Sequence, residues 1–227
     1  MASGSHGGTT RIGCPGPPTV TGVTSGPPVV GFDLDMTLID SRPGILTTLA
    51  VLAEESGEAA LAAPDLLDAL LRRNLDLVLA DRLPADRAPR LADRFRELYA
   101  DIGVPGSSLL PGAAAAVDAV RRRAGRVVVV TAKFPPNAVR CLAHVGLEVD
   151  AVHGWRLGPA KAEALRAEGA GVYLGDTPGD MAAAVAADAL AVGVATGPHP
   201  APELRAAGAR IVLSAMTEFA DRWPEAD

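Results

Sequence analysis

The chain has 227 residues, 48% of them hydrophobic, with 27 acidic against 21 basic side chains and a formal charge of −6. That length fits one domain, or one domain with an insertion, and it buries about 70% of its unfolded surface without staples. The composition excludes wholesale disorder, no apolar run reaches the ~18 residues of a membrane span, and the acidic balance argues against a nucleic-acid groove. Two cysteines, Cys14 and Cys141, cannot make a disulfide scaffold, so a reducing, cytoplasmic compartment is the default. Nothing in the sequence sets an oligomeric state.

Residues 1–28 contain 20 Gly, Pro, Ser or Thr and one formal charge, Arg11. With no periodicity and no signal-peptide core, residues 1–27 read as a flexible tail outside the fold. Ordered sequence begins at Pro28 with PVVGFDLD, a buried strand. Three helical patterns follow: Ile45, Leu49 and Leu52; then Leu67, Leu71, Leu75 and Val78; then Leu91, Phe95, Leu98 and Ile102. Gly57, Pro64, Pro84, Gly103 and Pro105 punctuate them, and no strand pattern interrupts.

From Leu110 strands and helices alternate. The patterning predicts helix 112–123, strand 126–131, helix 135–145, a weak strand 148–153, helix 159–168 and strand 171–175. Helix 178–187, strand 189–195, helix 201–207, strand 210–213 and helix 215–222 follow. Apolar strands separated by helices imply a doubly wound parallel sheet, an α/β Rossmann-like core formed by 28–42 and 109–227. The all-helical block 43–108 enters after the first strand, so it reads as an inserted cap domain over the carboxyl edge, where open α/β sheets bind ligands.

Polar residues gather at that edge. In GFDLDMTLID, Asp33 and Asp35 leave the first strand on the same side of the chain, and two like charges there call for a cation or a shifted pKa. Thr131 ends the VVVV strand, and Lys133 follows it. Lys161 stands in the first turn of a helix opened by Pro159; it and Lys133 are the two lysines of a chain with 19 arginines. A cation at a helix's positive end is unfavourable by about 0.3–1 kcal/mol unless an anion sits nearby. In GDTPGD, Thr177, Pro178 and Asp180 read as N-cap, N1 and N3 of a helix, whereas Asp176 precedes the cap at the strand terminus, as Asp33 does.

Together, DxDxT at 33–37, Thr131, Lys161 and GDxxxD at 175–180 resemble the motifs of the haloacid dehalogenase superfamily of phosphohydrolases. The likeness covers residues 28–227, and the helical insertion is similar to the smaller cap of the phosphoglycolate phosphatase-like branch. The resemblance implies a Mg2+-dependent phosphatase acting on a small phosphorylated substrate. Asp33 would be the nucleophile forming an aspartyl-phosphate, and Asp35 the acid that protonates the leaving oxygen and then activates water. Mg2+ would bind Asp33, Asp176 and the Asp35 carbonyl, with Asp180 in support. Thr131 and Lys161 would hold the phosphoryl oxygens, assisted by Lys133. Met36 stands where this branch usually has Gly.

Within the family, Asp35 favours phosphate esters over dehalogenation, and the lack of any lysine in 38–132 argues against Schiff-base phosphonate cleavage. A β-phosphoglucomutase-like sugar phosphomutase shares the same motifs and stays open. So does a non-catalytic scaffold, although that reading normally shows a missing carboxylate. The cap carries 11 acidic and 7 basic residues, and its arginines, Arg72, Arg73, Arg87, Arg90, Arg94 and Arg96, read as solvated or ion-paired faces. Ser41 and Arg42, beside the expected hinge, are the candidate substrate contacts. The four histidines show no metal-ligand spacing.

Overall fold

A computed structural model describes residues 27–223; the expected tail, up to residue 26, lies outside the described residues. Six strands form one sheet: β1 (Val29–Phe32), β4 (Arg126–Val130), β5 (Ala151–His153), β6 (Val172–Gly175), β7 (Leu190–Val194) and β8 (Ile211–Leu213). Their order is β5-β4-β1-β6-β7-β8, and every pairing is parallel. From β1 the chain builds outward through β4 and β5, then returns to β6 on β1's other side. The topological switch point of the sheet is therefore the carboxyl end of β1.

Strand alternation divides the core into two faces. Val127, Val129, Val172, Leu174, Val192 and Val194 belong to one apolar cluster. Val128, Val130, Tyr173 and Ala191 belong to the other. Helices α5 (Ala113–Arg121), α6 (Pro135–His144) and α10 (Thr217–Arg222) supply Val117, Cys141 and Phe219 to the first face. Helices α7 (Pro159–Glu168), α8 (Pro178–Ala186) and α9 (Ala201–Ala206) supply Leu165, Met181 and Leu204 to the second. The sheet is doubly wound, as the sequence predicts. Among the described residues, no helix is long and apolar enough to cross a membrane.

The helical insertion runs between two short strands, β2 (Ile39–Asp40) and β3 (Ser108–Leu109), which pair antiparallel with Ile39 opposite Leu109. It holds α1 (Arg42–Ser56), a 3-10 turn (Ala59–Ala62), α2 (Leu66–Arg72), α3 (Leu75–Arg82) and α4 (Ala88–Leu98). A π-helical turn (Tyr99–Gly103) and a 3-10 turn (Val104–Gly106) close it. One expectation needs correction. The apolar pattern from Leu67 to Val78 spans two helices, not one. Asn74 adopts an extended conformation (ψ 142°), and its side chain accepts a bond from the Asp76 N–H, capping α3. An Asn cap restarts the helix while the apolar spacing continues across the break.

Backbone contact fixes the root of the insertion. A Cβ added to Gly44 in α1 would fall on the carbonyl of Gly103 in the π turn, so the two segments meet only because Gly44 lacks a side chain. Gly44→Ala should destabilise the protein by about 1–3 kcal/mol. Calorimetry should read that as a fall in melting temperature of roughly 2–4 °C per kcal/mol; an unchanged melting temperature would contradict the packing described.

Candidate active site

The turn after β1 is built from one acceptor. The Leu34 carbonyl takes the N–H groups of Leu38 (2.9 Å) and Ile39 (3.0 Å), while the Met36 N–H bonds the Ile39 carbonyl at 2.8 Å. This forces Met36 into the left-handed region at φ 58°, which glycine would occupy without strain. Asp33 extends the strand through its N–H to the Leu174 carbonyl at 2.8 Å. Its side chain is buried at the sheet edge.

Asp33, Asp176 and Asp180 come together there, each offering an oxygen within 4.8 Å of the others, and all three are buried. Lys161 answers them: its Nζ donates to Asp33 Oδ1 at 3.0 Å and to Asp180 Oδ1 at 2.5 Å. Asp180 also completes the capping box of α8, with its Oδ2 accepting from the Thr177 hydroxyl at 2.6 Å and from the Thr177 N–H at 3.0 Å. The Tyr173 hydroxyl shares its hydrogen between the Val130 carbonyl (2.7 Å) and Asp180 Oδ1 (3.2 Å). The Thr37 hydroxyl donates to Asp176 at 3.3 Å.

Three buried carboxylates face one ammonium, so the charge does not balance. Burial is the main force pushing Asp33 up to about 7; Asp180 and Asp35 add to the rise and Lys161 opposes it. Burial, then Asp180 and Asp33, push Asp176 well above the usual carboxylate range. For Lys161, burial opposes the charge, but Asp180 and Asp33 outweigh it and hold the ammonium above the usual lysine range. A hard, oxygen-seeking divalent cation fits this donor set and supplies the charge it lacks.

Asp35 stands apart from that cluster, paired with Lys133. Lys133 Nζ donates to Asp35 Oδ1 at 2.8 Å and to the Tyr99 hydroxyl at 3.1 Å. Burial opposes the Lys133 charge, but Asp35 and Tyr99 hold it above the usual lysine range. Burial also lifts the Tyr99 hydroxyl to about 12, against the pull of Lys133. Thr131, buried at the end of β4, accepts the Lys133 N–H on its hydroxyl at 3.2 Å.

A cavity of about 420 Å³ joins these groups: Asp33, Asp35, Thr131, Lys133, Lys161, Asp176 and Asp180 all line it. Two expected contacts do not. Arg42 turns back to Asp40, with a bidentate pair at 2.9 and 2.7 Å, because the carboxylate two residues earlier satisfies its guanidinium first. Ser41 is fully buried, and its hydroxyl finds no partner. Neither lines the cavity. The cap arginines Arg72, Arg73 and Arg96 are ion-paired, as expected, yet they reach the cavity wall. The sequence reading also missed Tyr99, Phe134 and Trp155 on that wall. Phe134 and Trp155 lie in the loops that leave the carboxyl ends of β4 and β5, so the carboxyl-edge rule could have nominated them. Tyr99 carried no such signal.

The sequence model of the haloacid dehalogenase-like hydrolases matches residues 30–185. The chain belongs to that family. Solved structures share its fold at low identity. A haloacid dehalogenase-like family hydrolase from Streptococcus pneumoniae is 19% identical (TM-score 0.71; 84% of this chain, 95% of that one). A protein from Haemophilus somnus described as a predicted phosphoglycolate phosphatase is 19% identical (TM-score 0.67; 85% and 96%). A β-phosphoglucomutase from Clostridium difficile is 16% identical (TM-score 0.65; 84% and 92%). No curated protein matches this chain.

The raised pKa values carry a sign. Between the ordinary carboxylate value of 3.8 and about 7 the unfolded chain ionises Asp33 while the folded protein keeps it protonated. The unfolded state thus holds fewer protons, and this group's contribution to stability falls as pH rises through that window. A bound divalent cation removes the penalty by favouring the ionised form. Mg2+ should therefore raise the melting temperature more at about pH 8 than at about pH 5. Scanning calorimetry with and without Mg2+ checks this, and an equal rise at both pH values would count against a cation at these carboxylates.

Proposed function

We propose that this protein is a Mg2+-dependent phosphatase that hydrolyses a small phosphorylated metabolite through an aspartyl-phosphate on Asp33. One observation carries the reading: a buried carboxylate, Asp33, sits with Asp176, Asp180 and Lys161 in the same cavity that Asp35 lines. Family membership supports it. The 43–108 insertion serves as the cap, and a cytoplasmic location fits the free, buried thiol of Cys141.

In this reading the Asp33 oxygen attacks phosphorus in line with the leaving oxygen, so that a P–O bond to Asp33 forms as the ester P–O bond breaks. Asp35, held by Lys133 through one oxygen, gives its proton to the departing alkoxide from the other. The same carboxylate then takes a proton from water as that water attacks phosphorus, releasing phosphate and restoring Asp33. Lys161 and Thr131 hold the phosphoryl oxygens while charge redistributes, which is mostly positioning. Asp33 and Asp176 would hold Mg2+, with Asp180 in support; the bound ion offsets the negative charge of phosphate and carboxylates. Because Asp180 already carries Lys161, Thr177 and Tyr173, its further part is to position the Lys161 ammonium.

The test is p-nitrophenyl phosphate hydrolysis with Mg2+. Asp33→Asn should lower kcat by at least about a thousandfold, and chelation should abolish turnover. Asp35→Asn should slow breakdown of the phospho-enzyme by about 10²–10⁴-fold, leaving a stoichiometric burst of alcohol from this activated ester. Wild-type activity no higher than that of Asp33→Asn across a broad ester panel would defeat the enzyme reading. Bisphosphate-dependent isomerisation of a sugar phosphate without phosphate release would replace hydrolysis with the mutase reaction.

A further inference from the structure

The cavity continues well past the phosphoryl end. Its 420 Å³ falls in the range of sites that take organic ligands, about 300–1,000 Å³. Its outer wall is apolar: Leu70, Leu71, Leu75 and Phe95 from the cap, Phe134 and Trp155 from the core. The Phe134 and Trp155 rings lie 4.9 Å apart at their centroids, tilted by 48°. Trp155 is 53% exposed although it is held in left-handed backbone at φ 52°, a conformation costing a bulky residue about 1–2 kcal/mol. Its N–H bonds the Lys133 carbonyl and the next N–H, of Arg156, bonds the Thr131 carbonyl, both at 2.9 Å. These are main-chain bonds, so the backbone that carries the indole is fastened to the two residues that border the phosphoryl end.

The charges around this wall are already matched. Arg72 pairs with Asp68 at 2.9 Å, Arg73 with Asp81 at 2.7 Å, and Arg96 with Asp93 at 2.8 Å. Lys133 holds Asp35, Lys161 holds Asp33 and Asp180, and His199 meets Glu203 at 2.7 Å. Every cationic or histidine side chain that lines the cavity has a carboxylate partner. One anionic site remains to be filled, that of the phosphoryl group beside the metal ligands. A second anion on the ligand would meet guanidinium groups whose charge a carboxylate already counters, so it gains less than at an unpaired cation, and it would lose hydration beside the apolar rings.

We propose that the site selects phosphate esters whose alcohol is uncharged and carries an apolar ring, seated against Phe134 and Trp155, and that it discriminates against small anionic esters such as phosphoglycolate. This rests on the phosphate-ester reading above and narrows its substrate class. Trp155 is then the specificity-determining residue, contributing ring contact and no chemistry.

Benzylphosphonate and phosphonoacetate test this without turnover. Both place a methylene on phosphorus, and they differ only in bearing a phenyl ring or a carboxylate beyond it. Isothermal titration of the full chain with Mg2+ present should show benzylphosphonate binding at least about tenfold more tightly, the scale of a hydrophobic-pocket preference. Trp155→Ala should weaken benzylphosphonate about tenfold and shift phosphonoacetate by less than about threefold. Phosphonoacetate binding as well or better, binding of neither, or equal effects of Trp155→Ala on both would overturn the proposal. The wild-type comparison holds whether or not the variant folds. Loss of the catalytic reading would show separately, in the Asp33→Asn assay.

Discussion

Burying like charges at one end of a sheet is the constraint on which the rest of this molecule is arranged. β1 and β6 are adjacent parallel strands, so the chain leaves both at the same edge, about 4.8 Å apart in the pairing direction. Asp33 and Asp176 each stand one residue past their strand, so both leave the sheet at that edge, where their carboxylates meet. The first turn of α8 adds Asp180, and the first turn of α7 brings Lys161. A lysine at a helix N-terminus opposes the dipole by about 0.3–1 kcal/mol, less than a charge-assisted bond to a buried carboxylate provides, about 1.5–3 kcal/mol. Lys161 therefore stays where α7 alone would not favour it. Its single charge still leaves the three carboxylates under-compensated, a donor set with the charge and hardness to suit a divalent cation.

The helical insertion is joined to that site in two ways. At its root the apolar cluster runs unbroken from the sheet face into α1 and α4, through residues such as Val129, Leu52 and Phe95. At the cavity the links are polar and few. Tyr99 reaches Asp35 through Lys133; the Asn137 amide donates to the Arg96 carbonyl at 2.9 Å; Arg72 donates to the Pro198 carbonyl at 2.8 Å. The Arg96 guanidinium also lies 5.7 Å from the centre of the Trp155 ring. The neutral Asn137 bond contributes about 0.5–1.5 kcal/mol and the bonds from the charged Lys133 and Arg72 up to about 1.5–3 kcal/mol, whereas the root is held by a continuous apolar core. Any separation of the helical insertion from the sheet would break these contacts and leave the root intact. The Tyr99 link means that such a separation also changes the surroundings of the acid–base candidate.

The sheet and its carboxyl-edge residues were legible because they rest on short-range rules. VVVV before Thr131 and GVYL before Gly175 are apolar runs bounded by turn residues, and Thr177-Pro178 is a helix start whatever surrounds it. Asp33, Asp176 and Lys161 could be gathered because parallel topology sends every strand end to one edge. The cap was less legible. Asn74 breaks a helix that the leucine spacing carries through, since periodicity records which face is buried and not where the axis turns. Ser41 and Arg42 stand outside the cavity lining for a related reason: nearness to a hinge in sequence says nothing about the direction a side chain takes, and Arg42 turns to Asp40. Tyr99 owes its place to the π turn, which carried no recognisable signal among the helix-forming residues around it.

Met36 shows how a local rule yields to a packing gain. Left-handed backbone costs a non-glycine residue about 1–2 kcal/mol, and the turn that Leu34 closes demands that backbone at this position. Glycine would remove the strain. It would also remove a side chain that is 2% exposed and lines the cavity next to Asp35, and burying a methionine contributes about 1.5–3 kcal/mol. The two terms are of similar size, so methionine is tolerated on stability grounds alone. The Thr196 hydroxyl, which donates to the Met36 carbonyl at 2.5 Å, ties this turn to the segment after β7 and would do so with either residue. What methionine adds and glycine could not is an apolar surface at the phosphoryl end of the cavity, of the same character as the wall formed by Phe134 and Trp155.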